Sequence, residues 1–89
     1  MRVWLIDHRG YIWDCKVLEE TADTVLVRTI VSTEDIRLPC AALAAGIVEH
    51  SARIPLGKGK RRWVPQTLRF TADPDVAADY EHGANPRDS

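Results

Sequence analysis

Apolar and polar residues alternate most clearly early in the chain. Tyr11, Trp13, Cys15 and Val17 fall on one side of an extended backbone, with Asp14 and Lys16 on the other, which predicts a half-buried strand over 11–18. The apolar run 3–6 before it reads as a short buried strand ended by the turn Asp7-His8-Arg9-Gly10. After the polar connection 19–23, the stretch 24–31 is rich in β-branched residues and places Val25, Val27, Thr29 and Val31 together. It is expected to pair antiparallel with the strand before it. A tight connection at 32–34 leads to 35–38, where Ile36 and Leu38 alternate with charges and Pro39 stops the ladder. Three strands of a meander are thus predicted.

The pattern changes at 40–45, an alanine-rich run behind a proline and before Gly46, which predicts a helical turn near 41–45 with Gly46 as C-cap. Residues 47–49 return as a brief strand. Pro55, Gly57 and Gly59 among charges predict a mobile loop over 51–61. Residues 62–70 have strand composition interrupted by Pro65. Asp73-Pro74 then supplies an N-cap and a proline at the first helical position, and Val76, Ala77 and Tyr80 share one face of a short helix that ends before Gly83. Residues 84–89 are expected to fray as a tail.

The stretch from Gly10 to Leu43 resembles small SH3-like barrels and, within them, Tudor-type domains. A turn glycine is followed by an aromatic strand (Tyr11, Trp13, Cys15, Val17), a valine-rich strand (Val25, Val27), a short strand (Ile36, Leu38) and a helical turn near Leu43. The resemblance implies an all-β fold with minor α content. The expected architecture is a small SH3-like barrel or a curled antiparallel sheet of five to six strands, with a short C-terminal helix. Tudor-type readers of methylated side chains draw a cage of rings from two neighbouring strands. Tyr11 and Trp13 would supply one side of such a cage, and 25–31 contains no aromatic residue for the other. Fold alone does not specify activity in this class.

Eighty-nine residues, 45% of them apolar and 28% charged, make one folded domain with a thin core. The expected organisation is a β domain over 1–72 that includes a basic loop 51–62, followed by an acidic helix and tail over 73–89. The apolar run near the start is far shorter than the ~20 residues that span a bilayer, and no small-residue cleavage site follows it, so a cytoplasmic protein without a membrane partner is expected. Cys15 and Cys40 lack a Cys-x-x-Cys spacing, which argues for reduced thiols without a bridge.

Charge changes the picture more than composition does. The net charge is −1, but residues 1–50 carry five basic and eight acidic side chains. From Ser51 to Ala72 there is no acid, against six cations: Arg53, Lys58, Lys60, Arg61, Arg62 and Arg69. Residues 73–89 hold five acids and Arg87. Such a basic block between acidic ones reports on partners where net charge does not.

Candidate chemistry is sparse. His8, His50 and His82 are scattered over three connections, so neither a nucleophile–base pair nor any other catalytic set is expected. Cys15, Cys40 and one histidine would give three metal ligands at best, and Cys15 on the face of Tyr11 and Trp13 reads as a buried structural thiol; no metal and no cofactor are predicted. Gly57-Lys58-Gly59-Lys60 lacks the spacing and the Lys-Ser/Thr ending of a phosphate-cradling loop. Trp4 and Trp13 are read as core.

Lys58, Lys60, Arg61, Arg62 and Trp63 differ in kind: compliant glycines, four cations for successive phosphates and a ring for stacking an unpaired base. These residues predict a small non-catalytic binding module that contacts nucleic acid, RNA or single-stranded DNA ahead of duplex. The bland reading is a solvated loop whose cations pair with the acidic helix 73–81 while Trp63 fills the core. A second functional class is a protein-interaction or inhibitor module that docks on an acidic protein surface or self-associates, as a homodimer, through a strand edge.

Overall fold

A computed structural model describes residues 1–31, 34–56 and 62–82, with the backbone alone at 54–56 and 62–63. The described elements, in chain order, are β1 (Trp4–Ile6), β2 (Tyr11–Asp14), β3 (Lys16–Glu20), β4 (Thr24–Arg28), β5 (Ile36–Pro39), α1 (Cys40–Ala45), β6 (Ile47–Leu56), β7 (Arg62–Thr71), α2 (Pro74–Ala77) and β8 (Glu81–His82). Five strands form one sheet in the order β6-β7-β1-β2-β8, three form a second in the order β3-β4-β5, and neither closes into a barrel. The fold is a small all-β one with minor helix, as the alternation predicts.

The predicted strand 11–18 is real but divides its loyalties. It breaks at Cys15, whose N–H bonds to Val3 O at 3.0 Å, so that β2 belongs to the larger sheet and β3 to the smaller. Passing one strand between two sheets at a kink is how a sheet folds over itself to enclose a core. The meander is also observed: β3 pairs antiparallel with β4, through a bulge between Val17 and Glu19, and β4 with β5. Val25 and Val27 are fully buried, Thr29 is buried and Val31 packs against the same core, as period two requires. Thr21 shapes the β3–β4 turn, its Oγ1 accepting from Thr24 N at 3.0 Å.

The main core lies between the two sheets and gathers Val3, Leu5, Val25, Val27, Leu38, Leu43 and Phe70, with Trp13, Cys15 and Val17 packed against it. A smaller cluster covers the other face of the larger sheet, where Trp4, Ile6 and Ile12 meet Ala77, Val76 and Tyr80. Ile12 is therefore buried, although it alternates into the face that Asp14 and Lys16 mark as polar. A one-sided strand is corrected to a two-sided one because α2 packs on its back.

Three local predictions hold in modified form. The helical turn is α1, with Leu43 buried and Gly46 at its C-cap. The C-terminal helix begins as read, with Asp73 Oδ1 accepting from Asp75 N at 2.9 Å and Pro74 inside the first turn. It lasts only to Ala77, after which β8 pairs parallel with β2. Gly10 has φ 86, a conformation that favours glycine, at the turn into β2. The tail 84–89 lies outside the described residues.

Candidate nucleic-acid interface

The basic segment is built on a two-stranded ribbon. β6 and β7 pair antiparallel through ten registers, from Ile47 opposite Thr71 to Leu56 opposite Arg62. The expected loop 51–61 is thus corrected: 51–56 are strand, because Val48, His50 and Ala52 alternate inward while Glu49, Ser51 and Arg53 face out. Pro55 and Pro65 are tolerated because each strand has only one strand neighbour there, leaving a side where no N–H is needed.

β1 covers β7 only at Arg69, Phe70 and Thr71. From Arg62 to Leu68, β6 is its sole strand neighbour among the described residues. Seven residues at about 3.4 Å each carry this arm roughly 24 Å past the shared sheet. Its base is anchored, since Ala52 and Leu68 are buried in the main core, whereas Pro65, Gln66 and Thr67 are exposed.

Lys58, Lys60 and Arg61 fall between the two strand ends in sequence and lie outside the described residues. Arg62 and Trp63 are the first residues of β7, at registers opposite Leu56 and Pro55, and only their backbone is described. The sequence-predicted cluster thus maps to the far end of the arm as two strand positions and an adjoining segment. Arg53, exposed on β6, and Arg69 belong to the same acid-free block but escaped the site prediction, because they sit eight and seven residues away from Arg61 and Arg62 along the chain. Alternation in β6 was the only signal that brings Arg53 to the ribbon.

Ion pairing differs between the described cations of the ribbon and those of the body. Arg2, Arg9, Arg28 and Arg37 each have a carboxylate within ion-pair distance: Asp14, Asp7, Asp35 and Glu19. No described carboxylate reaches Arg53 or Arg69. The described acids Asp73 and Glu81 lie away from the first register of β7. Asp73 follows Thr71, nine residues or about 30 Å along β7 from Arg62, and Glu81 lies on the opposite edge of the sheet, four strand spacings or about 19 Å from β6.

Asp7 ties the arm's base to the body. Its carboxylate accepts from Trp13 Nε1 at 2.9 Å, Tyr11 N at 3.0 Å and Arg9 N at 2.8 Å, and its carbonyl accepts from Arg69 Nη2 at 3.3 Å. Burial pushes this carboxyl up, but the bonds from Trp13, Tyr11 and Arg9, with the Arg9 charge, outweigh it and hold the group at about 2. The three donors converge on one ionised group, which fixes the β1–β2 turn.

The remaining candidates are dispersed. Cys15 and Cys40 are free thiols, and burial, then the Asp14 charge, pushes Cys15 up to about 12, so at neutral pH it is a packed thiol and not a nucleophile. His8 sits in the β1–β2 turn, His50 in β6 and His82 in β8. Among the described residues no three His, Cys, Asp or Glu side chains are grouped to hold a metal ion, and no helix is long and apolar enough to cross a membrane. Tyr11 carries the Arg9 guanidinium 5.2 Å over its ring and Trp13 is committed to Asp7 and the core, so the one side of an aromatic cage that the Tudor resemblance implies is already occupied within the chain. No family model, curated protein or solved structure matches this chain.

Proposed function

We propose that the protein is a non-catalytic nucleic-acid-binding module of the cytoplasm that engages RNA or single-stranded DNA along the β6–β7 ribbon. The observation that supports this most is an acid-free block of six cations that includes a ribbon with one strand neighbour, whose described cations Arg53 and Arg69 meet no described carboxylate, while four arginines of the body are paired with carboxylates. Phosphates attract cations without regard to sequence, and each contact releases counterions. Lys58, Lys60, Arg61 and Arg62 supply four such contacts, and Trp63 beside them stacks an unpaired base, which favours single strands over duplex.

Titration of labelled RNA, single-stranded DNA and duplex at several salt concentrations tests the reading. Affinity for single strands falls steeply with salt, and Trp63→Ala weakens binding by roughly 1 to 3 kcal/mol with little change of slope. Failure to bind any nucleic acid at about 50 mM salt rejects it.

A second reading rests on a separate observation: β6 is a sheet edge ten residues long, and its outer side has no strand partner among the described residues. Such an edge adds a strand from an acidic partner or from a second copy of this chain. Association that persists at high salt and doubles the mass in solution favours it.

A further inference from the structure

We infer that the protein is a dimer in which the free edge of β6 pairs antiparallel with β6 of a second copy, centred on Ser51, an inference that rests on the edge reading above and names its occupant. The backbone directs hydrogen-bonding groups to that edge. Pro55 and Pro65 have no N–H to give and stand opposite Trp63 and Arg53, so the odd-numbered residues of the two strands meet as pairs that exchange no bonds. The N–H and C=O groups of Ile47, Glu49, Ser51 and Arg53 therefore point away from β7, to the side where β6 has no strand partner among the described residues. A row of such groups is a template for another strand.

Side-chain charge selects both the occupant and the register. Ile47, Glu49, Ser51 and Arg53 are exposed on one face of the sheet, as alternation requires. A two-fold axis through Ser51 sets Glu49 opposite Arg53 of the second copy, and Arg53 opposite its Glu49, so one symmetric contact makes two opposite-charge pairs. Centring on Glu49 or on Arg53 sets like charges face to face. Centring on His50 or Ala52 leaves both charges unmatched, and a parallel in-register pairing puts like beside like. Within the chain neither Glu49 nor Arg53 has a described ion-pair partner. The register also brings Pro55 opposite Ile47, so an N–H is missing only at the two ends of the new ladder. The two Leu56 ends, from which the basic segments continue in sequence, stand about 34 Å apart along the pairing, well beyond a Debye length at physiological salt. Arg53 is not among the four cations assigned to phosphate, so dimer and nucleic-acid contact do not compete for it.

The test is sedimentation equilibrium of the full chain in about 50 mM salt, where exposed charges are weakly screened. An edge pairing buries less surface than a standard interface and associates in the micromolar range, so concentrations run up to about 500 µM. The unmodified chain reaches twice the monomer mass. Glu49→Arg and Arg53→Glu each oppose like charges and weaken the dimer by about tenfold. An equimolar mixture of the two variants restores two opposite-charge pairs and associates as tightly as the unmodified chain. Both positions are exposed, and thermal midpoints verify that each variant is folded. As a check that needs no variant, the amide hydrogens of Glu49, Ser51 and Arg53 exchange more slowly as the unmodified protein is concentrated. A chain that stays monomeric at about 500 µM overturns the inference and leaves an acidic partner as the occupant of the edge. A dimer indifferent to both single changes, or a mixture no tighter than the variants alone, overturns the register while edge pairing stands. A dimer that forms without slowing those three amides overturns the inference together with pairing of the edge by a second copy.

Discussion

The β1–β2 layer and the β6–β7 arm are made of the same antiparallel pairing but are held in opposite ways. β1 is buried on both faces, Leu5 toward the main core and Trp4 and Ile6 toward α2, and the charges around it are matched, Arg2 to Asp14 and Arg9 to Asp7. The arm beyond Leu68 has exposed residues, one strand neighbour among the described residues and five cations without an acid, Arg53, Lys58, Lys60, Arg61 and Arg62. Burial and internal ion pairing leave a residue no freedom to meet a partner. The difference therefore separates residues that hold the fold from residues free to bind, and substitutions in one region should spare the property of the other.

The largest effect expected from breaking that separation is in the core. Phe70 is fully buried at the point where β7 meets β1, and Phe70→Ala costs roughly 3 to 5 kcal/mol, most of the stability of so small a domain. Chemical denaturation measures it. An equal loss on replacing exposed Thr67 by Val would show that arm and body are one mechanical unit.

Asp7 sits on the boundary and sharpens it. Asp7→Ala leaves the N–H groups of Trp13, Tyr11 and Arg9 without their acceptor and is expected to cost about 1 to 3 kcal/mol. Its folded pKa, about 2, lies below the ordinary carboxylate value of 3.8, so its contribution is complete above that value and is lost as pH falls through about 2. Thermal midpoints between pH 5 and pH 2 should drop less steeply in Asp7→Asn than in the unmodified protein. Parallel curves would mean that the carboxylate is not bound in the folded state as the distances indicate.

A smaller effect is expected at α2. Asp73 caps a helix of four residues, and Asp73→Ala should cost about 1 kcal/mol without changing nucleic-acid affinity, because α2 lies at the opposite end of β7 from the arm's far end. A several-fold gain in affinity instead would mean that the acidic segment does compete with phosphate.

What was legible in the sequence was whatever is decided by near neighbours. Val25, Val27, Ile36 and Leu38 announce the β3–β4–β5 meander through alternation, Gly10 and Gly46 mark where strand and helix turn, and Asp73-Pro74 announces a helix start. The illegible parts depend on residues far apart in the chain. Ile12 is buried because Ala77 and Tyr80 return to cover it, and β8 is too short for any pattern. β6 reads as loop beyond His50 because Pro55 and the charges around it look like breakers, until ten registers with β7 make it a strand. The candidate site divides likewise. Its charge is visible in composition as an acid-free block, whereas the arm depends on β1 stopping at Ile6 beside a strand more than 60 residues later.

The central claim is that the arm binds nucleic acid through charge that the fold does not need. It is tested most directly by one paired measurement on a variant with Lys58, Lys60, Arg61 and Arg62 replaced by alanine: the salt dependence of single-strand affinity and the thermal midpoint of the same sample. The expected slope of log affinity on log salt is shallower by about 3, near 0.7 for each lost contact, with a midpoint changed by no more than a few degrees. An unchanged slope, or a slope lost only because the variant has unfolded, would contradict it.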